Sequence, residues 1–382
     1  MPGELPWTGS PLRCAPSSRG RGTQLVATPH TLSVRRSLRT FLDQVGLTAG
    51  DAVVCGVSGG GDSVALAAAC VAAGLDVTTV TVDHGLQDGS ASVAARTAAL
   101  CTDLGAHACT VPVTVEGSGE APARSARYAA LGEVAAGRPV LVAHTADDDA
   151  EGLLLSLARG SGTGSLAGLR AVTHDHPVVA AGAAWLGRPL LGVARADTQG
   201  SCAELGLPVW HDPHNESPEI IRSRVRHELL PLAQEILGGH VDSNLARSAR
   251  LLREDADELD AQAVRILEQA RGRIDRAAVG VPPGLQVSVL ESAPAPLRRR
   301  VIRQWLAETA GPLTSRHLDM VDALVTDWHG QGPVAVPWPP QPADNKLSEA
   351  PSTMGTTRRL VVRRRRTDTG SQLELDRTAG VS

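Results

Sequence analysis

Two kinds of segment alternate along the first half of the chain. Short, mostly apolar runs, at Ala52–Val57, Val77–Val82, Ala108–Val115, Val140–Ala143 and Trp185–Leu191, are separated by stretches whose apolar residues recur at helical spacing, such as Thr31–Val45, Ser90–Leu104 and Val193–Gly206. The run Ala52–Val57 has no polar alternation, so it suits a strand buried on both faces of a parallel sheet. Strands alternating with helices predict an α/β fold over residues 31–215: an open, mostly parallel five-stranded sheet with helices on both faces. After it the period changes. Helical runs at Val241–Gly272, Leu297–Leu306 and Thr314–Thr326 predict a mainly helical domain over 216–336. Residues 1–30 read as a disordered extension, and 337–382 as a Pro-rich and basic tail, partly disordered, with a short strand at Arg359–Arg366.

The first strand ends in Ser58-Gly59-Gly60-Gly61-Asp62-Ser63, followed by an Ala-rich helix. Glycines let backbone N–H groups approach a ligand, and a helix N-terminus favours an anion, so a phosphate is the natural occupant. A Walker A loop needs a lysine here, and the only lysine is Lys346, so a P-loop NTPase is excluded. The second strand ends in Asp83-His84, at the sheet edge where open α/β folds bind ligands, although a solvated turn is the bland reading. The fourth delivers His144-Thr145-Ala146-Asp147-Asp148-Asp149-Ala150-Glu151. Asp147 is expected to cap the next helix, with Asp148 and Glu151 on one face of its first turn. Such carboxylates either serve capping alone, or hold magnesium or an ammonium group. Arg124 and Arg127 share a helical face and either face solvent or meet phosphates.

Composition sharpens this. Aromatics are 2% of the chain, so Ala, Val and Leu must build the core; the net charge of −4 argues against a protein that coats nucleic acid uniformly. The basic residues are clustered instead, at Arg222, Arg224, Arg226 and His227, and at Arg298, Arg299 and Arg300, as phosphate-binding stripes would be. Six cysteines without a C-x-x-C pair read as buried thiols of a cytoplasmic protein, and no segment has the apolar length of a membrane helix.

The motifs VSGGGDSVAL, VDHGL, ARSARYAAL, AHTADDDAE, RGSGTGSLAGL, RPLL, DPHN and RSRVRHELLP follow one another in this order. SGGGDS resembles the SGGxDS loop of the ATP-pyrophosphatase (PP-loop) superfamily, an adenine-nucleotide α-hydrolase-like fold. The full set resembles tRNA(Ile)-lysidine synthetase in a short form typical of actinobacteria, over about Val53 to Pro231 and more weakly to about Val336. The resemblance implies a ligase forming a C–N bond: ATP adenylates the wobble cytidine of a CAU anticodon in tRNA(Ile), and L-lysine displaces AMP. It implies ATP on Ser58, Gly59, Gly60, Gly61, Asp62, Ser63, Asp83 and His84, and Mg2+ on Asp62 and Asp147. Lysine would meet Asp148 and Glu151, with Asp62, Arg127 and Asp148 in catalytic roles. Arg222, Arg224, Arg226, Arg298, Arg299 and Arg300 would hold tRNA phosphates. Thr145, Asp149 and Gly152 depart from the family's HHxDDQxET. A homodimer is left open by the sequence.

A tRNA thiolase of the same superfamily would need a cysteine pair that is absent, and GMP or NAD synthetases have no use for the RSRVRH stripe. A tRNA-binding homologue without catalysis is disfavoured by the presence of Asp62, Asp148 and Glu151.

Overall fold

The computed structural model describes residues 28–85, 89–115, 120–211, 220–271, 283–338, 358–368 and 370–379. Residues 1–27 of the expected extension, the DPHN element and most of the Pro-rich tract lie outside the described residues, whereas Pro29 and His30, placed in the extension by the sequence pattern, open a helix. The chain divides into two compact units, Met1–Arg253 and Glu254–Ser382.

In the first unit, helix α1 (Pro29–Val45) precedes β1 (Ala52–Gly56), α2 (Gly61–Ala72), β2 (Asp76–Asp83), α3 (Ser90–Leu104) and β3 (His107–Pro112). Then come α4 (Glu120–Ala135), β4 (Val140–Leu141), α5 (Ala146–Ala158), the single turn α6 (Thr163–Leu166), β5 (Val172–Thr173), α7 (Pro177–Ala180), β6 (Leu186–Gly187) and α8 (Arg195–Glu204). The strand order is β3-β2-β1-β4-β6-β5. All neighbours are parallel except β5, which runs antiparallel to β6. The sheet therefore has six strands where the sequence pattern predicts five. The extra one is a two-residue edge strand, too short to leave a period in the sequence.

Alternation along the central strands builds a core on each face. Val53 and Cys55 of β1 and Leu141 of β4 pack with Leu38, Phe41, Leu66 and Cys202 from α1, α2 and α8. Val54 and Val140 point the other way, into Tyr128, Leu131 and Val178 from α4 and α7. Small residues make this close packing feasible: a Cβ on Gly132 would come within 2.5 Å of Ala181 Cβ. Helix α8 is tied to the start of α1 by Glu204, whose carboxylate accepts the N–H groups of His30 (3.2 Å) and Thr31 (2.8 Å) and the hydroxyl of Thr31 (2.7 Å). A helix N-terminus has unpaired N–H groups, and here a neighbouring helix supplies the cap. Of the cysteines, Cys55, Cys70, Cys101 and Cys202 are buried free thiols as expected, whereas Cys109 is disulfide-bonded.

After α8 the chain continues as α9 (Ile221–Arg224), a π-turn at Val225–Leu229, α10 (Leu230–Leu237) and α11 (Val241–Ala270), within which the division between units falls. The second unit adds β7 (Leu285–Gln286), α12 (Val287–Ser292), α13 (Ala295–Ala307), α14 (Ser315–Thr326), β8 (Val334–Val336), β9 (Arg358–Thr367) and β10 (Gly370–Ala379). Its strands form an antiparallel sheet in the order β7-β10-β9-β8. The region is thus helical and sheet-containing, and the expected short basic strand is one of two paired ten-residue strands. Three of its arginines are paired within the unit: Arg363 with Asp376 (2.7 Å), Arg364 with Glu291 (3.2 Å) and Arg365 with Glu374 (3.4 Å). Trp305, Ile302, Leu306, Leu324 and Val362 lie at the centre of this second core.

Candidate active site

The site forms where β1, β2 and β4 end. After β1, Gly59 takes φ of +90°, and a Cβ there would come within 2.6 Å of Thr97 Oγ1, so only glycine fits. Ser63, in the first turn of α2, closes the loop by donating to Gly60 O (2.8 Å) and accepting the N–H of Ser58 (3.2 Å). Trp210 N–H donates to Gly59 O (2.8 Å), so the segment after α8 braces the loop from outside. The parallel register of β1 with β2 sets Asp83 and His84 beside it. Burial and the nearby Arg127 hold the His84 imidazole below its ordinary pKa, so it stays neutral.

The acidic helix begins two residues earlier than its composition suggests. Thr145, in extended conformation, is the N-cap of α5, and Asp148 Oδ2 reaches back to accept the Thr145 N–H (2.8 Å) and hydroxyl (3.2 Å). Asp147 is therefore not the cap. A capping box ties up Asp148 instead and leaves Asp147 free to accept the Arg195 N–H at 2.7 Å.

Arg195, at the start of α8, joins these pieces. Its Nε donates to Asp62 (3.3 Å), Nη1 to Glu151 (3.2 Å) and Nη2 to Asp148 (3.1 Å), while Nη1 lies 3.9 Å from Asp147. Thr198, one turn on, donates its hydroxyl to the other oxygen of Asp62. Burial pushes the Asp62 carboxyl up, against the Thr198 hydrogen bond and the Arg195 charge. Burial would raise Asp148 too, but Arg195 and His144 outweigh it and hold it below the usual range. His144 itself is pushed down to about 3, first by burial and then by surrounding arginines.

Glu151 is wholly buried. Beyond Arg195 it receives Arg226, through Nε at 2.7 Å and Nη2 at 3.1 Å, and lies 3.5 Å from Arg222 Nε. Arg222 and Arg226, four residues apart, fall on this side, whereas Arg224, between them, points outward to Glu228 (2.9 Å). Two of the expected phosphate contacts are thus partners of the acidic cluster. Arg298 needs a plain correction: it is buried in the second unit, with Nε on Asp322 (2.6 Å) and Nη1 on Ala293 O (2.9 Å), so it holds α13 to α14 and cannot reach a tRNA phosphate. Arg300 is mostly covered and bonds Asp260 at 3.0 Å, while Arg299 is 54% exposed and 3.3 Å from Asp319.

Asp149 is turned away from the cluster. It is 3% exposed, accepts the Leu169 N–H (2.9 Å) and bonds Arg253 Nη2 (2.5 Å), while Arg253 Nε donates to Ala167 O (2.9 Å). Gly168 between them has φ of +65°, and a Cβ would fall 2.6 Å from Asp149 Oδ1. The Gly-rich segment is thereby fastened to α5 and α11. Arg127, on α4, stacks its guanidinium 5.5 Å from the Tyr128 ring and is close enough to depress both His84 and His144. Sequence reasoning missed Arg195, Thr198 and Arg253. For Arg195 one signal exists: a cation opening a helix, where the macrodipole disfavours it, requires anions nearby.

A parallel sheet whose first strand feeds a Ser/Gly loop into a helix N-terminus, with carboxylates at a second strand tip, defines a PP-loop adenine-nucleotide-binding protein. Residues 30–233 match the PP-loop domain family, and residues 285–339 match the TilS substrate binding domain. The tRNA(Ile)-lysidine synthase of Nocardia farcinica is 47% identical over 307 residues, covering 79% of this chain and 91% of that one. That of Mycolicibacterium paratuberculosis is 51% identical over 285 residues (73% and 82%), and that of Mycobacterium tuberculosis H37Rv 48% over 298 residues (77% and 87%). The chain belongs to the tRNA(Ile)-lysidine synthase family.

Proposed function

We propose that this chain adenylates the C2 oxygen of the wobble cytidine in the CAU anticodon of tRNA(Ile) with ATP, and then joins L-lysine to C2 with loss of AMP. Family membership supports lysidine formation and ATP use; the finer assignments below are our reading of the site. The observation that carries it is the meeting of Asp62 from the phosphate loop with Asp147, Asp148 and Glu151 from α5 on one guanidinium. Both halves of the reaction then have groups within one crevice.

In this reading the loop Ser58–Ser63 takes the triphosphate on its N–H groups and on the N-terminus of α2, with Asp83 and His84 beside the nucleoside. Arg127 faces the phosphates. Asp62 and Asp147 suit Mg2+: both lie within 4 Å of the same cation, Arg195, and no three-carboxylate metal cluster exists among the described residues. Magnesium keeps several waters and needs only one or two carboxylates beside substrate phosphates. When bound it neutralises charge on the departing pyrophosphate. Asp148 and Glu151 accept from a lysine ammonium, and burial of this pair excludes the water that would otherwise hydrolyse the adenylate. Arg224 and Arg299, the exposed members of the basic stripes, meet tRNA phosphates. A tRNA substrate carries a cytoplasmic location with it.

The test is ATP-dependent incorporation of labelled lysine into unmodified tRNA(Ile) bearing CAU, with tRNA(Met) as control. Incorporation confined to tRNA(Ile) supports the reading; pyrophosphate release without lysine incorporation overturns the assigned amine.

A further inference from the structure

Arg195 has no role in the scheme above, yet it contacts four of the carboxylates that scheme uses. It comes from a third element, α8, and it is only 15% exposed, so it is not a surface arginine awaiting a tRNA phosphate. Its position is electrostatically unfavourable, since it opens a helix whose N-terminus already carries partial positive charge. What holds it there is the carboxylate set, and each of its three nitrogens is used on a different member: Nε on Asp62, Nη1 on Glu151 and Nη2 on Asp148. Its own main-chain N–H takes Asp147 at 2.7 Å. Further hydrogen bonds fix α8 on either side of this node: Ala146 N–H to Val193 O (2.9 Å) joins the starts of α5 and α8, and Thr198 Oγ1 closes on Asp62. The far end of α8 is anchored to α1 by Glu204.

We propose that Arg195 is a positioning residue which holds the phosphate-loop carboxylate Asp62 in register with the amine-clamping carboxylates Asp148 and Glu151. The inference rests on the lysidine reading and adds to it how the two half-reactions are aligned. A planar guanidinium with its donors in a fixed fork sets the angle between three anions; a lysine ammonium supplies the same charge with no such geometry. Alignment matters most in the second half-reaction. There the incoming amine must attack C2 while the C2–O bond to the adenylate breaks, AMP leaves with that oxygen, and the amine proton is lost. An amine held out of line yields to water, which attacks phosphorus, breaks the P–O bond, restores the cytidine carbonyl and releases AMP without forming lysidine.

The distinguishing readout is therefore the number of AMP molecules released per lysidine formed. Full-length wild-type protein with tRNA(Ile), ATP and lysine gives a ratio near one; absence of both products would instead refute the underlying reading. Arg195→Lys is expected to stay folded, to raise the ratio about threefold or more, and to raise the KM for lysine. Thr198→Val removes the hydroxyl from Asp62 and from the Arg195 carbonyl but leaves the Arg195 guanidinium its three carboxylates, so AMP release slows while the ratio stays near one. Should Arg195→Lys lose all turnover, Arg195→Ala supplied with guanidinium ion decides: recovery of lysidine supports the proposal, and no recovery from a folded protein overturns it. An Arg195→Lys protein that releases one AMP per lysidine with a wild-type KM overturns it, as does a Thr198→Val protein uncoupled to the same degree.

Discussion

Replacing Arg253 by Met strands a carboxylate. Asp149 is 3% exposed and has two partners, the Leu169 N–H and the Arg253 guanidinium. The substitution leaves the first and removes the second, together with the bond from Arg253 Nε to Ala167 O. Removing one partner of a buried pair costs about 3–5 kcal/mol when the remaining charge has nowhere to go. Here one backbone donor stays, and the Asp149 carboxyl, already pushed up by burial, can take a proton instead. The expected loss is therefore about 2–4 kcal/mol at neutral pH. For a unit of this size a 3 kcal/mol loss lowers the melting temperature by roughly 6–12 °C. The sign with pH follows from the raised folded-state pKa of the acid. The penalty is complete above that pKa and shrinks as pH falls through it, so Arg253→Met should recover part of its deficit as the pH is lowered. Denaturant melts of the full chain, read by far-UV circular dichroism, measure this. Adding Asp149→Asn to Arg253→Met removes the stranded charge and should regain more than half of the loss. A single variant melting within about 1 °C of wild type would refute the argument, because the pair would then contribute no more than an exposed one.

Gly59→Ala should abolish ATP binding, measured by titration calorimetry, because the φ of +90° and the 2.6 Å approach to Thr97 force the phosphate loop to move. Arg224→Ala should weaken tRNA binding and reduce the slope of log K against log salt by about 0.9, the contribution of one phosphate contact; an unchanged slope assigns Arg224 only to its bond with Glu228. Glu204 is held down to about 2, because the hydrogen bonds from Thr28, Thr31 and His30 outweigh the effect of burial. Its folded-state pKa lies below its unfolded value, so its contribution to stability is present above about pH 4.5 and is lost as pH falls toward 2. Glu204→Gln should therefore flatten the acid limb of the stability curve, and an unaltered limb would count against that role.

The parts of the molecule that were legible in the sequence are those with a local signature. Buried strands leave unbroken apolar runs, and the phosphate loop leaves SGGGDS between a strand and a helix, so β1, β2 and β4 and the carboxylates at their ends fall where the pattern puts them. What escaped has no local signature. The two-residue strand β5 has no period. The Asp149–Arg253 pair joins residues 104 positions apart, within a helix that reads as solvent-edged. Helical spacing places Leu297, Val301 and Trp305 inward but cannot say that Arg298 follows them, because that depends on Asp322 arriving from α14. Arg222, Arg224 and Arg226 look alike in a row, but once the segment is helical the first and third lie four apart on one face and the second on the other, so two face Glu151 and one faces Glu228.

The π-turn at Val225–Leu229 is a phase shift written into the backbone. Between Val225 and Leu230 the hydrogen bond spans five residues in place of four, so the helix carries one residue more than its rise requires. Everything after it is rotated by about one residue's worth of arc, roughly 100°, relative to an uninterrupted helix. Deleting a single residue from Val225–Leu229 would thus act as a rotation rather than a shortening. The helix would close into an ordinary α-helical ladder and look more regular, while Leu230, now buried just beyond the turn, would swing away from the place it fills.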